Sequence, residues 1–107
     1  MSLDVYLEEC RPSEVYSRNI THNLTKMAGA AGIYEYLWRP EEVGVKKAHD
    51  LIEPLARGLM SLIAAPERYQ QYNPENGWGN YQALLGFVSD YLLHCIVHPN
   101  ADVRVSR

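Results

Sequence analysis

Two short segments near opposite ends of the chain alternate apolar and polar residues with a period of two, and the stretch between them reads as helical. In one, Leu3, Val5 and Leu7 alternate with Asp4, Tyr6 and Glu8. In the other, Ala101, Val103 and Val105 alternate with Asp102, Arg104 and Ser106. Period two puts one set of side chains on each face of an extended strand, so each segment is expected to be a strand with one buried face. An antiparallel pairing of the two would set the acidic outer face of the first against Arg104, a cross-strand contact worth roughly 0.2–1 kcal/mol. A two-stranded ribbon is marginal alone, so helices must cover its apolar side.

The helical signals between the strands are mostly stops and starts. Thr21 can cap a helix over 22–31, its hydroxyl accepting from a first-turn amide, and Gly32 suits the left-handed residue that ends it. A short helix over 34–38 must stop before Pro40, which disfavours helical backbone at Arg39. Asp50 and Glu53 form a capping-box-like pair, with Pro54 near enough to the first turn to be tolerated. Leu51, Leu55, Leu59 and Leu62 then make one stripe that ends before Pro66. A last helix over 80–97 carries Tyr81, Leu84, Leu85, Val88, Leu92 and Cys95 at helical spacing, with Pro99 behind it. The expected fold class is α+β: three to four helices packed on a small antiparallel sheet that pairs the N- and C-terminal strands. With 107 residues and no linker or repeat, residues 1–107 are expected to form a single compact domain.

Composition removes several function classes. A net charge of -3 and no basic run argue against a phosphate-backbone binder, so no nucleic acid is expected as a partner. No apolar stretch approaches the ~20 residues of a membrane span, and the segment MSLDVYLEEC has acids where a secretion signal has bases. The expected setting is cytoplasmic, without a membrane partner. The cysteines Cys10 and Cys95 are too few for a disulfide framework, and in that setting the Asn19 and Asn23 glycosylation patterns are taken as chance matches.

Chemistry-bearing patterns are few. Asp90, His94 and His98 recur every four residues, a ladder that could offer two imidazoles to one ion, yet the glutamate of a catalytic zinc helix is missing and no third ligand is identifiable. Residues of the last helical turn also offset the helix dipole, which suffices to explain them, so no metal and no cofactor is expected. A dyad of Cys10 or Cys95 with a histidine is a thiol alternative, although Cys95 falls on the apolar stripe where thiols are inert. No Walker loop or nucleophile elbow exists, and Gly29–Gly32 lies late in a helix.

Polar and aromatic residues instead concentrate in three segments: NITHN at 19–23, LWRPEE at 37–42 and YNPENGWGNY at 72–81. Asn19 and Thr21 are read as caps, and the Asn-Pro and Asn-Gly steps as turn chemistry. Asn23, Trp38, Arg39, Asn76, Trp78 and Tyr81 are the residues expected to bind a ligand or partner. Eight tyrosines and two tryptophans fit a surface with one end buried and the other wet.

These blocks, with SLDVYL, LIEPLARGL and ADVRVSR, resemble a family of small uncharacterised bacterial and phage proteins across nearly the whole chain. The resemblance implies a self-contained cytosolic domain of phage or mobile-element origin and carries no activity with it. The functional expectation is a non-enzymatic binding or adaptor protein that uses an aromatic-polar surface toward a protein or small molecule, with a homodimer through that surface also in view. The alternative is a metal- or thiol-dependent small enzyme on the His94/His98 face.

Overall fold

A computed structural model describes residues 2–9 and 13–107. Among them lie three strands and five α-helices: β1 (Ser2–Glu9), β2 (Ser13–Thr21), α1 (Thr25–Ala30), α2 (Tyr34–Trp38), α3 (His49–Ala64), α4 (Pro66–Gln70), α5 (Tyr81–Val97) and β3 (Asp102–Ser106). The sheet is antiparallel in the order β2-β1-β3, so the fold is α+β with the first and last strands paired as their alternation requires. Arg104 stands opposite Tyr6, with its guanidinium 3.9 Å from the ring centroid and its Nε donating to Glu8 at 3.0 Å.

Strand β2 is an addition to the two-stranded expectation. Its Tyr16 and Ile20 are buried beside Leu3 and Leu7, while Asn19 and Ser17 stand opposite Asp4 and Tyr6 on the other face. The alternation is interrupted inward by Arg18, which an edge strand tolerates because a long side chain can reach past the rim. Arg18 does so and pairs with Asp90 of α5 at 3.0 Å.

Helices α3 and α5 run antiparallel over the sheet. At one end the amides of Ala48 and His49 bond the carbonyls of Ala101 and Pro99; at the other, Tyr81 Oη donates to the Leu62 carbonyl at 2.5 Å. The buried stripe of α3 is Leu51, Leu55, Gly58 and Leu62, with Leu59 only partly covered. Gly58 is required by packing, since a methyl there would overlap Ile33 Cγ2. On α5 the buried set is Tyr81, Leu84, Phe87, Val88, Tyr91 and Cys95. The stripe is thus rotated toward Phe87 and Tyr91, leaving Leu85 and Leu92 on its margin, because these two aromatics pack edge to face and Tyr91 also stacks on Tyr16 of the sheet.

Local details depart from the expected caps. Thr21 does accept from the Asn23 amide at 3.2 Å, but the turn it opens, His22–Leu24, is a 3-10 helix, and α1 begins only at Thr25. Asp50 lies inside α3 instead of capping it, and its carboxylate reaches back to the amides of Lys46 and Lys47 at 3.1 Å each. Those amides hold the Asp50 carboxyl below its usual range. Glu53 pairs with Arg57 one turn on. No helix among the described residues is long and apolar enough to cross a membrane.

Candidate functional site

Three outward-facing residues of the hairpin form one wall of a cleft. Ser2 and Thr21 are directly opposed across β1 and β2, and Asn19 precedes Thr21 by two residues, so the period of a strand brings all three to the same face. The amide of Asn19 donates to Ser2 Oγ at 2.8 Å and to Asp4 Oδ1 at 2.7 Å. Asn19 is therefore a strand residue whose side chain ties β2 to β1, and its expected role as a helix cap is corrected.

The opposite wall is Trp78. Its loop is held by asparagines acting on backbone: Asn76 Oδ1 accepts from the Trp78 amide at 2.9 Å, Asn73 Oδ1 from Tyr81 at 2.8 Å, and Asn80 Oδ1 caps α5 through Ala83 at 2.8 Å. Gly77 and Gly79 supply positive φ values of 78° and 97°. At Gly79 the loop also lies directly against the hairpin, because a Cβ there would stand 2.7 Å from Thr21 Cγ2 and 3.1 Å from Leu24 Cγ. That contact seats Trp78 beside Thr21. The ring is 70% exposed, so Trp78 is no core residue despite its size.

Ser2, Asn19, Thr21, Asn23 and Trp78 together enclose about 420 Å³, within the size range of small-ligand sites. A second cleft of about 550 Å³ runs along the other side of Asn23, between His22, Thr25 and Lys26 and the 71–75 segment.

Of the six residues expected to bind, Asn23 and Trp78 meet in the first cleft. Asn76 stands behind Trp78 as the acceptor that shapes its turn. Tyr81 is buried, with its hydroxyl spent on Leu62. Trp38 is 2% exposed, stacked on Tyr34 with centroids 5.6 Å apart and edge-on to His22. Arg39 donates to Tyr34 Oη at 3.3 Å and to Glu42 at 3.1 Å. The segment 37–42 is thus knitted to itself and to Arg107, which donates to the Trp38 carbonyl at 2.6 Å, and contributes no residue to this cleft. Ser2, Asn19 and Thr21 are the lining residues that sequence reasoning leaves out. Their signal is the alternation of β2 in register with β1.

The His94/His98 ladder is divided between two partners. His94 stacks on Tyr16 at 4.2 Å with Nδ1 2.9 Å from the Asp90 carbonyl, whereas His98 Nδ1 lies 3.3 Å from Glu9 Oε2. Asp90 itself serves Arg18 and the Tyr16 hydroxyl, each at 3.0 Å. Partial burial pushes its carboxyl upward, but hydrogen bonds from Arg18 and Tyr16 and the nearby positive charge outweigh that and leave it below the usual range. Tyr16 is correspondingly raised, first by burial and then by its bond to Asp90. Among the described residues no three histidine, cysteine or acidic side chains come together as a metal site. Burial pushes the Cys95 thiol up to about 12, the opposite of an activated nucleophile; Cys10 lies outside the described residues.

No family model, curated protein or solved structure matches the chain.

Proposed function

We propose that the protein is a non-enzymatic binding module whose recognition site is the cleft between the β1–β2 hairpin and Trp78. One observation carries this reading: the largest exposed aromatic ring in the chain is fixed, by three asparagine-to-backbone bonds and two left-handed glycines, over a row of hydroxyl and amide groups that each keep hydrogen-bonding capacity to spare. A loop that only connected α4 to α5 would gain nothing from presenting an indole to water, since burying such a ring is favourable by about 1.5–3 kcal/mol or more. Recognition sites combine a flat apolar surface with a few oriented polar groups, and this cleft has both.

Surface changes that touch no core contact usually alter stability by no more than about 0.5 kcal/mol. Trp78→Ala and Asn23→Ala are therefore expected to keep the wild-type urea midpoint. In amide NMR spectra, a whole cell extract that keeps its small molecules is expected to shift the signals of residues 19–23 and 76–79 in the wild type and to leave them unmoved in Trp78→Ala. Equal shifts in both proteins would refute the assignment of the site.

A further inference from the structure

The donor and acceptor pattern of the cleft narrows its ligand. Asp4 is a carboxylate and can only accept, so the Asn19 amide must turn its nitrogen toward it, and the 2.7 and 2.8 Å bonds to Asp4 and Ser2 use both N–H groups. The Asn19 carbonyl oxygen is left as an acceptor at the lining. Ser2 Oγ and Thr21 Oγ1 each accept, from Asn19 and from the Asn23 amide, which leaves each hydroxyl proton as a donor. The Asn23 side chain can do either. The row thus alternates donor and acceptor along the cleft, with no charged side chain among the described lining residues and the Asp4 carboxylate set back behind Asn19.

A ligand that answers this row must carry closely spaced groups that both donate and accept, must be uncharged, and must offer a flat carbon face to the indole. Hydroxyls on adjacent ring carbons donate and accept at once. A pyranose adds a face of axial C–H groups that packs on an aromatic ring, whose negative face attracts their partial positive charge. An anion would face Asp4 across Asn19, and among the described lining residues a cation would meet no carboxylate. We infer that the cleft binds an uncharged saccharide, with Trp78 as the stacking platform and Ser2, Asn19, Thr21 and Asn23 as hydrogen-bonding partners of its ring hydroxyls. The inference rests on the reading of this cleft as a binding site and adds the chemical class of what fills it.

The test is an amide and indole NMR titration with triacetylchitotriose, cellotriose, maltotriose, mannotriose and lactose at millimolar concentrations, beside an uncharged serine- and tyrosine-rich peptide. At least one saccharide is expected to shift Asn19, Thr21, Asn23 and the Trp78 indole saturably. Trp78→Ala is expected to weaken that sugar about tenfold or more, and Trp78→Phe less, since it keeps a ring. Ser2→Ala, which removes one hydroxyl donor without touching the aromatic platform, is expected to weaken it severalfold and serves if Trp78→Ala alters the fold. If the peptide moves those signals and no saccharide does, the saccharide assignment is overturned and the binding site stands. If the sugars move only signals elsewhere, or bind every variant as tightly as the wild type, the saccharide assignment is overturned. No shift with any saccharide overturns the inference.

Discussion

At the scale of single residues, Gly79 carries more of the site than any residue that lines it. Its φ of 97° is one that side chains with a Cβ rarely adopt, and the space a methyl would need is filled by Thr21 and Leu24. Gly79→Ala is therefore expected to cost about 1–3 kcal/mol, the range for a strained backbone position, and to move Trp78 off the hairpin. A urea melt gives the first quantity, and quenching of tryptophan fluorescence by iodide reports the second, because Trp38 is buried and Trp78 is the quenchable ring. Glycine in a turn is legible in the sequence as turn chemistry. Its contact with a threonine 58 positions earlier is not, because no local pattern encodes a tertiary approach. The same holds for Trp38, whose neighbours LWRPEE advertise a polar surface while its ring lies 2% exposed.

At the scale of elements, the helix stops are marked by proline and glycine, and α2 ends where Pro40 requires. The inward face of α5 is less legible: Leu, Val and Tyr surround the helix, and an almost uniformly apolar helix does not announce which side is inward. Its orientation comes instead from Phe87 and Tyr91 meeting each other and the sheet. Strand β2 is hidden in the sequence because Arg18 breaks its inward alternation and because NITHN contains the capping Thr21, so the whole segment reads as the approach to a helix. Losing β2 loses the cleft, since Asn19 and Thr21 are aligned with Ser2 only by its register. Tyr81 shows the reverse case, a residue with surface credentials that is structural. Its hydroxyl satisfies a carbonyl of the last turn of α3, which has no partner within that helix. Tyr81→Phe is expected to lower stability by about 0.5–1.5 kcal/mol in a denaturant melt and to leave the spectrum of residues 19–23 unchanged.

At the scale of the whole molecule, acid sensitivity follows from carboxylates that fold into donors. Asp50 and Asp90 both sit below the ordinary value of 3.8 in the folded chain. The unfolded chain therefore takes up these protons first, so their contribution is complete above that value and is lost as the pH falls through the lower, folded ones. Urea midpoints are expected to hold from neutral pH to about 5 and then to fall steadily. Asp50→Asn is expected to lower the neutral midpoint and flatten the acid decline. The strand order has a consequence of another kind, for the time course of folding. The central strand β1 has one neighbour next to it in the chain and another, β3, that arrives only after all five helices, with Asp4 opposite Ser106. A hairpin can close in about 1–10 μs, but the far edge of β1 stays an open row of amides and carbonyls until the last strand docks, and such an edge can pair with other chains. The interval before β3 arrives is the period in which this protein is most exposed to aggregation.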